Sequence, residues 1–146
     1  MRQARILESL EALETEARTF ASDLVPHTEH ATLVTLSGDL GAGKTTFTQS
    51  VAKELGVSEH VTSPTFVLAK SYALPNSAFK KLVHIDAYRL TEGKDLVPLA
   101  FDEIMSDAST LVLLEWPEMV ADKLPNTDIA ITLSVLDINS RSISYA

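Results

Sequence analysis

A chain of 146 residues with 45% apolar and 22% charged residues suits one folded domain, 1–146, built on a single core. Its formal charge of −8 speaks against autonomous nucleic-acid binding, which needs Lys and Arg gathered against phosphates, so any RNA role is expected to be indirect. With no cysteine, disulfides, thiolate metal sites and cysteine nucleophiles are excluded.

The opening MRQARILESLEALETEARTF interrupts its apolar positions with glutamates, which neither a signal-peptide core nor a membrane span tolerates, and a cytoplasmic protein is expected. Ile6, Leu7, Leu10, Leu13, Ala17, Phe20, Ala21 and Leu24 recur at steps of three and four, predicting an amphipathic first helix that ends near Pro26. The run Ala31 to Leu36 has the form of a buried strand, and Gly38 opens a glycine-rich turn. Thr45 to Leu55 reads as a helix with Phe47, Val51 and Leu55 on one stripe and Gly56 as its stop. Strands are predicted at Phe66 to Tyr72 and Leu82 to Asp86, and a helical region over Asp95 to Met105. Thr110 to Glu115 is a second strongly apolar run, consistent with a central strand covered on both faces. Ile129, Ile131, Leu133 and Val135 alternate as in a half-exposed one. A turn at Asn139 and Ser140 then leads into a final antiparallel strand through Ile143 and Tyr145. His27, His30, His60 and His84 lack the tight spacing of a metal centre, so histidine ligation is not expected.

Gly38, Asp39, Leu40, Gly41, Ala42, Gly43, Lys44 and Thr45 match G-x-x-x-x-G-K-[ST] in full, between a predicted strand and a predicted helix. Glycines let the backbone N–H groups turn inward around phosphates, while the helix directs its positive end at the same anion. Lys44 is expected on the β- and γ-phosphates of ATP and the Thr45 hydroxyl on Mg²⁺, with Thr46 completing the cradle and Asp39 in a structural role.

Hydrolysis further requires a carboxylate near the metal and a group that positions water. Glu115 and Asp86 each end a predicted strand, which puts them at the sheet edge where open α/β folds assemble their sites. Ser63-Pro64-Thr65 is a rigid polar turn suited to sensing a γ-phosphate or metal-bound water. Trp116 reads as packing or partner contact, Arg89 as an ion-pair or phosphate group, and Lys80 with Lys81 as a solvated turn.

Taken together and in this order, LSGDLGAGKTTFTQ, TSPTF, HIDAYRL and LLEWPE resemble the bacterial TsaE family over about residues 32 to 118. The resemblance implies an α/β P-loop NTPase three-layer fold, mostly parallel with antiparallel C-terminal edge strands. It also implies a weak, monomeric ATPase that works with TsaB and TsaD, which install threonylcarbamoyl on the adenosine beside the anticodon of tRNA. Its nucleotide cycle would reset that complex between rounds. Carried over by motif, Lys44 and Thr45 become the phosphate and magnesium residues, Glu115 the other metal-associated carboxylate and Asp86 the catalytic or water-positioning acid. Thr65 resembles a switch threonine and Trp116 a functional aromatic, whereas the first helix, LETEARTFASDL, departs from the family's pattern. Two rival readings use the same cradle: a nucleotide-gated binding module without hydrolysis, and a small-molecule kinase, for whose lid and acceptor domain the chain has little room.

Overall fold

The computed structural model describes residues 4–62 and 68–146. Seven strands form one sheet in the order β1-β7-β6-β2-β5-β4-β3. These are β1 (Arg5–Leu7), β2 (Thr32–Ser37), β3 (Ala69–Ala73), β4 (Lys81–Asp86), β5 (Thr110–Glu115), β6 (Ile129–Val135) and β7 (Arg141–Tyr145). The middle of the sheet is parallel: β2 pairs with both β5 and β6, and β4 pairs with β5. β3 and β7 run antiparallel to their inner neighbours, as does β1 to β7.

The apolar runs dictate that arrangement. Every residue of β5 is buried, as is all of β2 except Ser37, because each lies between two other strands with a layer on either face. Helices α1 (Leu10–Asp23) and α2 (Lys44–Glu54) cover one face, packing Leu13, Ala17, Phe20, Phe47 and Val51 against Val34, Leu36, Leu111 and Leu113. The other face is closed by α3 (Phe101–Met105) and two 3₁₀ turns, Gly93–Leu99 and Pro117–Val120, over Leu33, Val83, Ile85, Val112 and Leu114. A sheet layered on both faces is the three-layer architecture expected. Among the described residues no helix is long and apolar enough to cross a membrane.

The structure differs from the sequence reading in three places. Ile6 and Leu7 do not begin the first helix; they lie in β1, opposite Ser142 and Arg141. Ser9 accepts a hydrogen bond from the Ala12 N–H at 3.0 Å and so starts the helix at Leu10, leaving the preceding residues to pair with β7. Consequently β7, antiparallel as predicted, is covered by β1 instead of forming the edge on that side. The predicted helix over Asp95 to Met105 is two pieces, broken at Ala100 with φ 56°. Pro98 supplies no N–H and disfavours the α conformation at Val97, so that stretch tightens into 3₁₀ form. Finally, β3 begins at Ala69, and the first residues of the strand predicted from Phe66 lie outside the described set.

Candidate functional site

The glycine-rich segment leaves β2 at Ser37 and enters α2 at Lys44. Gly38, at φ 148°, passes so close to β6 that an added Cβ would stand 2.3 Å from the Leu133 carbonyl oxygen. Gly43, at φ 102°, immediately precedes the helix, and a Cβ there would meet Leu13 of α1 at 2.8 Å. Both are backbone conformations that a side chain resists, so the motif's glycines are set by close approach as well as by φ. Ala42 is fully buried and donates its N–H to the Asp39 carbonyl at 3.0 Å, while the Asp39 side chain is exposed.

Across a cavity of about 420 Å³, Lys44, Thr45 and Thr46 share walls with Asp86, Glu115 and Trp116. Leu40, Gly41 and Gly43 line the same space. The sheet causes this meeting. Asp86 and Glu115 are register partners at the C-terminal ends of β4 and β5, and Glu115 is also in register with Leu36, just before the glycine loop. Residues far apart in sequence are thus set side by side at the strand ends.

The Lys44 ammonium donates to the Gly38 carbonyl and, at 3.0 Å, to that of Asp39, and it sits 4.3 Å from the Trp116 ring centroid. Burial lowers its pKa from the usual lysine value, opposed by the nearby carboxylates of Glu115, Asp86, Glu118 and Asp39. Asp86 is 7% exposed and accepts the Tyr88 N–H at 3.0 Å. Glu115, 3% exposed, is 2.5 Å from Nε2 of the fully buried His84. Trp116 adopts φ 62° and packs on Tyr88 with ring centroids 4.9 Å apart. A bulky residue in the left-handed region is strained, and Trp116 keeps that conformation with its ring above Lys44.

Three contributors escaped the sequence reading. His84 had a legible signal, since it is a polar residue on an otherwise apolar strand, two positions before Asp86. Arg141 had none: its guanidinium donates to the Gly41 carbonyl at 3.1 Å from β7. Leu13 looked like ordinary core, yet with Ser9, Thr46 and Asn139 it lines a second cavity of about 180 Å³ beside Gly41 and Gly43. Ser63-Pro64-Thr65, and with it the predicted switch threonine, lies outside the described residues.

Strand, glycine loop, helix and flanking carboxylates at the strand ends define an α/β protein of the P-loop NTPase type. Comparison with known proteins narrows the class. The family described as "Threonylcarbamoyl adenosine biosynthesis protein TsaE" matches residues 11–143. The chain is 36% identical over 129 residues to the tRNA threonylcarbamoyladenosine biosynthesis protein TsaE of Rickettsia typhi, covering 88% of this chain and 83% of that one. Against the protein of the same name from Haemophilus influenzae, identity is 38% over 111 residues, 76% of this chain and 68% of the relative. The crystal structure of Bacillus subtilis YdiB superposes with a TM-score of 0.77 at 28% identity, covering 98% of this chain and 83% of that one. The chain therefore belongs to the TsaE family of tRNA threonylcarbamoyladenosine biosynthesis.

Proposed function

We propose that this protein is a magnesium-dependent ATPase, weak alone, which acts in the cytoplasm as an accessory to the TsaB–TsaD complex and meets tRNA only through it. The observation that carries the reading is the single cavity in which Lys44 and Thr45 face Asp86 and Glu115. The residues present fit a nucleoside triphosphate with its metal. Lys44 occupies itself with loop carbonyls of Gly38 and Asp39, contacts it can exchange for phosphate oxygens. One ammonium stands against the carboxylates of Glu115, Asp86, Glu118 and Asp39, a balance that repels a bare polyanion and favours one accompanied by a divalent cation.

When bound, Mg²⁺ neutralises triphosphate charge and orients the β- and γ-oxygens. On the protein side, the Thr45 hydroxyl and the Glu115 carboxylate hold the cation, and His84 keeps Glu115 from rotating away. Lys44 and the inward backbone of Gly38 to Thr46 bind phosphate. Asp86, fixed by the Tyr88 N–H, orients the attacking water, and Thr65 of the switch turn responds to the γ-phosphate. Trp116, half-buried at the mouth, relays nucleotide state to the partner surface.

Phosphate release measured with ATP and Mg²⁺, alone and then with purified TsaB and TsaD, tests this reading. Lys44→Ala should lose triphosphate binding, whereas Asp86→Asn and Glu115→Gln should keep much of it and lose about 100-fold or more in turnover. Equal rates for wild type and both carboxylate variants would refute the assignment of roles. Tight ATP binding without phosphate release, even with partners present, would make the protein a nucleotide-gated binding module.

A further inference from the structure

At the end of the sheet opposite the glycine loop, the connection entering β2 carries His27 and His30, and the residue preceding β6 is Asp128. Histidine ligation is not expected from their spacing in sequence, yet the fold brings this pair together beside Asp128. Their rings lie 4.4 Å apart, and one nitrogen of each, together with an Asp128 carboxylate oxygen, falls within 4.8 Å of the others. His27 Nε2 is 2.6 Å from Asp128 Oδ1, across 101 positions of sequence.

We infer that His27, His30 and Asp128 form a site for a divalent transition metal ion of the zinc class, distinct from the magnesium-type site of the glycine loop. Two imidazoles and one carboxylate are the donor set that favours zinc, copper, nickel or cobalt over magnesium or calcium, which prefer oxygen alone. The outer contacts are those a metal centre uses. Nδ1 of His30 is 2.8 Å from the Ala31 carbonyl, which can only accept, so Nδ1 is the donor there and Nε2 is the nitrogen left to meet a metal ion. Asp128 is oriented by the Leu33 N–H, which donates to its Oδ2 at 2.7 Å, leaving Oδ1 toward the histidines. Asp128 in turn donates its own N–H to the Leu33 carbonyl at 3.0 Å, which anchors the backbone under the site.

Ligands about 2.0–2.2 Å from zinc stand roughly 3.3 Å apart in a tetrahedron, closer than the widest separation here. Both histidines are exposed, so modest side-chain rotation can close the wider separations and part His27 Nε2 from Asp128 Oδ1, which at 2.6 Å now share a hydrogen bond that the ion would replace. Three protein ligands leave a fourth position for water or for a side chain of another molecule. Because the ligands come from two connections far apart in sequence, the ion also cross-links the entry to β2 with the entry to β6.

Titration of the intact nucleotide-free protein with Zn²⁺ in excess Mg²⁺, followed by calorimetry, is the direct test. One equivalent should bind, and His27→Ala or His30→Ala should each weaken it by more than about tenfold, since even outer-shell losses cost that much at metal sites. Asp86→Asn, at the other end of the sheet, should bind zinc like wild type. Zinc should raise the thermal midpoint of wild type and not that of His30→Ala. The inference is overturned if the histidine variants keep wild-type zinc affinity, if Asp86→Asn removes it, or if no zinc binds under these conditions. None of these readouts depends on ATP hydrolysis.

Discussion

Gly38 offers the sharpest test of the cradle, because its replacement meets backbone and not a yielding side chain. In Gly38→Ala the new Cβ stands 2.3 Å from the Leu133 carbonyl oxygen, against about 3.3 Å for a close carbon–oxygen approach. The loop must therefore back away from β6 by roughly 1 Å. Overpacking of that kind costs about 1–3 kcal/mol, and the left-handed φ of 148° adds about 1–2 kcal/mol for a residue with a Cβ. Gly41→Ala is the internal control: at φ 82° it carries the conformational cost, but nothing lies within 4 Å of its added Cβ. Urea unfolding at a common m-value should thus show Gly38→Ala about 1–3 kcal/mol less stable than Gly41→Ala, a large share of an ordinary domain's 5–15 kcal/mol. Under the proposed function, triphosphate affinity should fall further in Gly38→Ala, since the shifted loop carries the N–H groups proposed to hold phosphate. Equal unfolding midpoints for the two variants would refute the argument that contact with β6 sets the loop.

Trp116→Gly should relieve the strain at φ 62° and come out about 1 kcal/mol more stable than Trp116→Ala by thermal unfolding, while both lose the contacts with Lys44 and Tyr88. His84→Leu should be destabilising by about 1–3 kcal/mol, because the Glu115 carboxylate is left buried without its imidazole. The double change His84→Leu with Glu115→Leu should be less damaging in the same unfolding assay, since it removes both polar partners. Asp137 accepts the N–H groups of Asn139 and Ser140 in the turn before Arg141, and these hold its carboxyl below the usual aspartate value. A depressed folded pKa gives stability that is present above the unfolded value of about 3.9 and is lost as pH falls through the folded one. Asp137→Ala should accordingly lower the unfolding midpoint at pH 7 and do little at the acid end of that window. An equal shift at both would contradict the assignment.

Much of this protein was legible locally. The octapeptide Gly38 to Thr45 carries its own conformational instructions, because glycine φ values, a following helix and a buried strand before it are short-range matters. β5 announced itself as six apolar-or-terminal positions in a row, and Glu115 at its end could only emerge at the sheet edge. Tertiary structure alone decided the rest. Whether Ile6 and Leu7 continue a helix or join a strand depends on Ser9 capping α1 and on β7 presenting an open edge, and periodicity over so few residues suits either outcome. Facing of Asp86 and Glu115 follows from the register of β4 on β5, which no sequence spacing encodes. The His84–Glu115 pair, the reach of Arg141 to Gly41, and the gathering of His27, His30 and Asp128 are long-range for the same reason. Hydrogen bonding between strands and burial of a common core bring such residues together, and both are properties of the whole sheet.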